Sequence, residues 1–182
     1  DAQPELPDRP AETAQYTGPD LAGHSASAAA NQGDWFTQVQ TDLLTALLEN
    51  RYADAIEHYE SSYDRASSAE LDRLRALILS HARQSLGNDQ PTAATQLLQA
   101  YSRNNEDLEA WKMLVTAFQR TEQWQEMLTA LLRSNRLEVD SQNYAQNLVK
   151  MVNAASRLST HFEREGDRLA VLQLYQSLYE EY

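Results

Sequence analysis

The chain contains no cysteine, which removes disulfides, thiolate metal sites and cysteine nucleophiles in one step. Long apolar runs are missing too. No stretch approaches the roughly 18 residues that a membrane-spanning helix needs, and charges interrupt every candidate segment. Positive charge is in the minority: 15 Lys and Arg stand against 27 Asp and Glu, for a net charge of −12. Such a chain lacks the basic footprint that phosphate backbones require, so DNA and RNA are not expected as partners. Catalytic signatures are lacking as well, with no GxSxG, P-loop, GxGxxG or HExxH in the sequence. His24, His58, His81 and His161 are scattered without His-x3-His pairing, so no metal or cofactor is expected. The acidic runs, such as Glu57 to Glu60 and Asn105 to Asp107, read as solvated faces and turn residues. The chain is read as non-catalytic.

Proline and glycine number five each, and most of both fall early: Pro4, Pro7, Pro10 and Pro19, with Gly18, Gly23 and Gly33. A segment of this kind, with Tyr16 as its only aromatic before Trp35, cannot bury enough apolar surface to offset its ordering entropy. Residues 1–33 are therefore expected to form a disordered Pro/Gly/Ala-rich leader. Pro4-Glu5-Leu6-Pro7 and Pro7-Asp8-Arg9-Pro10 have the form of PxxP motifs, but that pattern is too common to carry weight. The chain opens at Asp1 without an initiator Met. This fits a mature N-terminus left by signal-peptide removal and equally a trimmed chain; the expected location is exported, periplasmic or secreted.

From Asp34 on, only Gly87, Pro91 and Gly166 interrupt a sequence that reads as almost all helix. The first pair sets Trp35, Phe36, Val39, Leu43, Ala46 and Leu47 against a helix opening near Tyr52 and carrying Ala55-x3-Tyr59. Ser67-Ser68-Ala69-Glu70 has the form of a capping box ahead of Leu71, Leu74, Leu77, Ile78 and Ala82. Pro91 falls in the first turn of the next helix, where a missing N–H costs nothing, before Ala94, Leu97, Leu98 and Tyr101. Trp111, Leu114, Val115 and Phe118 then form a stripe at i, i+3, i+4, i+7 spacing, and Trp124, Met127, Leu128, Leu131 and Leu132 a second. A longer helical pattern runs from Ser141 to about Glu165, followed by a turn at Gly166 and a last helix.

The stretch from Leu108 to Val139 resembles the tetratricopeptide repeat, whose pattern is W-x2-L-G-x2-Y in one helix and A-x3-F in the next, over about 34 residues. Val115 stands where that family has Gly, Met127 where it has Ala and Val139 where it has Pro, so closer helix contact is not expected here. Tyr52-x2-Ala55-x3-Tyr59 and Ala155-x2-Leu158-Ser159-x2-Phe162 with Val171-x3-Tyr175 are similar, and Ala55, Ala94, Met127 and Val171 are taken as equivalent positions. The resemblance implies an all-α fold of about four antiparallel hairpins over residues 34–182, stacked as a right-handed superhelix.

In this family the first helices line a concave groove that holds a peptide or partner protein. Carried over by spacing, the second hairpin would present Arg75 and Arg83, the third Lys112, Thr116 and Arg120, and the fourth Thr160 and Arg164. The family's carboxylate clamp is not reproduced, because Thr116 and Thr160 stand where Asn would be needed. The cations Arg75, Arg83, Lys112, Arg120 and Arg164 collect on this face of an acidic chain, so an acidic peptide or carboxylate is the expected ligand of a scaffold in the bacterial cell envelope. The alternative is the helical region of an enzyme, similar to those accompanying retropepsin-like aspartic proteases, with its catalytic domain beyond Tyr182. The last helix carries Leu169, Leu172, Tyr175, Leu178, Tyr179 and Tyr182 over a wide arc. That surplus of apolar surface implies a second neighbour, either a following domain or another copy of the chain.

Overall fold

The structure is a computed structural model that describes the backbone of residues 21–166 and 168–181 and the side chains of 34–166 and 169–176. Packing divides the chain into Asp1–Trp35 and Phe36–Tyr182; the core lies in the second. Every described element is an α-helix: α1 Leu21–Leu48, α2 Tyr52–Glu60, α3 Ser68–Gly87, α4 Pro91–Tyr101, α5 Leu108–Arg120, α6 Trp124–Leu137, α7 Ser141–Glu165 and α8 Arg168–Glu181. No helix among the described residues is long and apolar enough to cross a membrane.

The helix starts have local causes. Ser67 and Glu70 close the capping box ahead of α3, with the Glu70 N–H donating to Ser67 Oγ at 3.4 Å and the Ser67 N–H to Glu70 Oε2 at 2.8 Å. The hydroxyl and amide of Ser67 hold the Glu70 carboxyl below its usual range. Pro91 opens α4 at its first turn. Asp107 caps α5 by accepting from Glu109 N and Ala110 N at 2.9 and 3.3 Å. Asp140 caps α7 in the same way, through Gln142 N and Asn143 N.

One turn recurs. Asn50, Asp89 and Glu122 all have positive φ, at 58°, 56° and 56°. In each case the next residue's N–H reaches back into the preceding helix: Arg51 to the Ala46 carbonyl at 2.8 Å, Gln90 to Ser85 at 2.8 Å and Gln123 to Phe118 at 3.0 Å. A left-handed residue with that long return bond is the standard way to end a helix and reverse the chain sharply. Gly166, with φ 76°, ends α7. These four residues stand at one and the same sequence offset ahead of Ala55, Ala94, Met127 and Val171. Of those, Ala55 and Ala94 are fully buried, Met127 nearly so, and Val171 half-buried.

Each of α3 to α7 packs on the helix that follows it, α2 packs on both α3 and α4, and α5 packs on both α3 and α4. The core they enclose includes Leu74, Ile78, Leu97, Leu98, Leu114 and Leu131, all essentially inaccessible. At about 1.5–3 kcal/mol per buried aliphatic side chain this is the main stabilising term. A smaller cluster joins Leu86, Ala94 and Ala117, with Met113 against it. Tyr59 packs its ring near Tyr63 and Tyr101, at centroid distances of 5.2 and 5.6 Å. Burial pushes the Tyr63 hydroxyl up to about 12.

Two expectations are revised. Helix α1 begins at Leu21 rather than at Asp34, so Gly23 and Gly33 lie inside a helix. Ala22, Ala26, Ala28, Ala29 and Ala30 surround them, and alanine's helix propensity offsets the roughly 1 kcal/mol that each glycine costs. The rest of the expected leader, residues 1–20, lies outside the described residues. Asp107, read from sequence as a solvated turn residue, is buried at 8% exposure, because its carboxylate both caps α5 and meets a cation from α3.

Candidate functional site

The α5 face carries the main polar constellation. Arg75, on α3, donates from Nε to Asp107 Oδ2 at 2.6 Å and from Nη2 to Asp107 Oδ1 at 3.0 Å. Arg75 also reaches Glu109 at 3.4 Å, and Arg83 pairs with the other oxygen of Glu109. The buried Tyr101 hydroxyl donates to Asp107 Oδ2 at 3.1 Å. Burial alone would raise the Asp107 carboxyl. The Arg75 fork, the Ala110 N–H and the Tyr101 hydroxyl outweigh it and hold the group below its usual range. The same carboxylate keeps the Arg75 guanidinium more firmly protonated, and burial raises Tyr101.

Around this constellation lies an open cleft of about 730 Å³, lined by residues that include Arg75, Tyr101, Asp107, Glu109 and Lys112. Lys112 also borders a second, smaller pocket of about 240 Å³ with Val115, Thr116, Ser134, Asn143, Gln146, Asn147 and Lys150. Glu109, Lys112 and Thr116 follow one another along one side of α5, so the two cavities meet at Lys112. Lys112 is itself committed. Its Nζ lies 2.6 Å from Oε2 of Glu138, whose side chain is only 3% exposed. This contact, with the Asp140 N–H, holds the Glu138 carboxyl below its usual range.

The residues expected to line one groove are thus only partly gathered. Arg75, Arg83, Lys112 and Thr116 fall along α3 and α5. Arg120 is turned to helix termination, donating from Nη1 to the Leu86 carbonyl at 2.6 Å and so tying the end of α5 to the end of α3. Thr160 and Arg164 border a different cleft of about 650 Å³ with Glu122, Trp124, Glu126, Arg157 and His161. There the Arg157 guanidinium sits 4.6 Å from the Trp124 ring centroid. Arg164 has no ion-pair partner among the described residues.

Sequence reasoning missed Asp107, Ser134, Asn143, Asn147 and Lys150. Asp107 carried a readable signal, since an Asp directly before an apolar-periodic stretch is a favoured N-cap. The others had none, because a single Asn, Ser or Lys on an otherwise ordinary helix leaves no mark in the periodicity. No group of three or more His, Asp or Glu able to hold a metal ion occurs among the described residues.

On the last helix, Leu169, Leu172 and Tyr175 are 64%, 66% and 51% exposed. Leu178, Tyr179 and Tyr182, expected to share that face, lie outside the described side chains. Compared with family models, curated proteins and solved structures, the chain has no match.

Proposed function

We propose that this chain is a non-catalytic interaction scaffold of tetratricopeptide type, which holds an extended peptide segment of a partner protein along the exposed side of α5. The observation that carries the reading is the recurring turn. Asn50, Asp89, Glu122 and Gly166 reverse the chain at one offset from the positions aligned by the repeat resemblance. Packing of α5 against both helices of the preceding pair is what stacked antiparallel hairpins require. A stack of that kind leaves one side of each first helix open, and the two cavities meeting at Lys112 lie on such a side of α5. The setting proposed for it is the bacterial cell envelope.

The ligand's charge needs a narrower statement than the sequence suggested. Arg75, Arg83 and Lys112 have carboxylates of their own, so a ligand anion there must compete with them. Specificity on this part of the face comes from shape and hydrogen bonding more than from net attraction.

Peptide-display selection on the full chain, followed by amide exchange with an enriched peptide, tests the reading. Protection should concentrate on α3, α5 and the first half of α7. If no peptide is enriched, or protection falls only on α8, the scaffold reading fails. The exposed Leu169, Leu172 and Tyr175 favour a second reading, in which α8 is covered by another copy of the chain or another domain. Light scattering of the full chain with and without Tyr175→Glu separates the two: self-association that the substitution abolishes supports this reading, and a monomer in both cases removes the second copy.

A further inference from the structure

Helices α6 and α8 each pack on α7, but among the described residues they do not pack on each other, whereas the alternate helices α2 and α4 do. The gap is a trough of about 360 Å³. Leu128, Leu132, Leu158, Phe162, Ala170 and Leu174 wall it, and the polar residues on its border, Gln125, Thr129 and Gln173, carry no charge. Leu132, Phe162 and Leu174 are only half-buried, so an apolar group entering the trough reaches them and removes their remaining surface from water. Leu169, Leu172 and Tyr175 fall on the opposite side of α8 and belong to a different surface.

The trough meets the cleft of about 650 Å³ beside Trp124, since Gln125, Leu158 and Phe162 line both. That cleft holds charge of both signs, kept apart. Arg157 and Arg164 stand on α7, Arg157 against the Trp124 ring, and Glu122 and Glu126 stand at the start of α6. Neither arginine pairs with either glutamate or with any other acid among the described residues, while His161 faces Glu165 on its own helix. Four exposed charges that border one cleft unpaired and sum to zero complement a group carrying both signs better than a simple anion or cation. Both volumes lie in the range of small-molecule sites, about 300–1,000 Å³, in which apolar walls supply affinity and a few polar groups fix orientation.

We infer that the two cavities form one binding site for a single-chain amphiphile with a zwitterionic head. The tail lies in the trough, the anionic group of the head meets Arg157 and Arg164, and its cationic group meets Glu122 and Glu126. Along α6 the trough runs from Gln125 to Leu132, about 10 Å of helix. That length takes roughly eight methylenes of an extended tail at about 1.3 Å each. The site is separate from the exposed side of α5 and does not rest on the scaffold reading.

The test uses the full-length, isotope-labelled chain and follows the backbone amides of Thr129 and Gln173, in the trough, and of Leu172 and Tyr175, outside it, by NMR. Octylphosphocholine, octyl sulfate, octyltrimethylammonium and octyl glucoside are titrated below their micelle concentrations. Octylphosphocholine should move Thr129 and Gln173 and bind about fivefold tighter than the other three. Hexylphosphocholine should bind about fourfold more weakly, at about twofold per methylene in a trough open on one side, and dodecylphosphocholine no more than about twofold tighter, because its extra methylenes lie beyond Leu132. Arg164→Gln should weaken octylphosphocholine about twofold to fivefold and shift the preference toward octyltrimethylammonium; Glu126→Gln should shift it toward octyl sulfate. Gln173→Glu, at an exposed position on the trough border, should weaken every tailed probe about tenfold, since the added carboxylate loses water beside the tail. Sedimentation with phosphatidylcholine vesicles shows whether the amphiphile is taken from a bilayer or from solution, and either source supports the site provided Gln173→Glu abolishes the effect. Movement confined to Leu172 and Tyr175, equal binding of octyl glucoside, or affinity that keeps rising with tail length overturns the inference. A display-enriched peptide that displaces octylphosphocholine from Thr129 and Gln173 would overturn it too, by assigning the trough to the partner protein.

Discussion

Replacing Asp107 by alanine should be among the most damaging single changes at a polar residue of this fold, and the structure allows the loss to be apportioned. The carboxylate caps α5 through two backbone N–H groups, accepts a fork from Arg75 and takes the Tyr101 hydroxyl. Losing an N-cap costs about 1 kcal/mol. Arg75 is 37% exposed and returns to water when released, so its share is at the low end for a charged hydrogen bond, about 1 kcal/mol. Tyr101, 2% exposed, is left with an unpaired buried hydroxyl, at a cost of about 1–2 kcal/mol. Asp107→Ala should therefore lose about 3–4 kcal/mol in urea denaturation followed by circular dichroism. Asp107→Asn keeps a capping oxygen and a partner for Tyr101, and should lose only about 1–2 kcal/mol. The difference between wild type and Asp107→Asn also has a defined pH dependence. The folded carboxyl is held below its unfolded value near 3.8, so its contribution is present above that pH and disappears as pH falls through the folded value. Two results would refute this reasoning: equal losses for the alanine and asparagine variants, or a wild-type advantage that persists unchanged at the lowest pH where both fold.

Other consequences follow from single positions. Trp111 is half-buried and its indole N–H has no partner; Trp111→Ala should cost about 3 kcal/mol, whereas Trp111→Phe, which removes the unpaired donor, should stay within about 1 kcal/mol by the same denaturation assay. Burial beside Tyr52 depresses the His81 pKa below 6.5. The neutral ring is thus the folded form, and melting temperature should fall as pH drops below about 6.5 more steeply in wild type than in His81→Gln. Gly166 has φ 76° and open space where a Cβ would stand, so Gly166→Ala should cost about 1 kcal/mol from backbone conformation alone.

The helices were legible because their signals are local. Ser67 and Glu70, Pro91, Gly166 and the Trp111 to Phe118 stripe each specify a start, a stop or a buried face without help from the rest of the chain. Where the sequence misled, tertiary context decided. Asp107 looks like any turn acid until α3 brings Arg75 to it. Asn50, Asp89 and Glu122 share a left-handed turn although Glu has no intrinsic preference for it, because the packed helices on either side impose the reversal. Helical spacing alone orders Lys112 and Thr116 along one side of α5. It could not show that Arg75, Arg83 and Lys112 had found carboxylates from other helices, nor that the longer α7 would bring Asn147 and Lys150 beside Ser134.

The central claim, that a peptide lies along the exposed side of α5, is tested most directly by site-specific photocrosslinking. A photoreactive residue is placed at Thr116, exposed on α5, or at Gln96, exposed on α4, and each full-length protein is irradiated with a peptide enriched by display. Crosslinking at Thr116 and not at Gln96 is the predicted result. Crosslinking at Gln96 without any at Thr116 would place the partner on another surface and contradict the account.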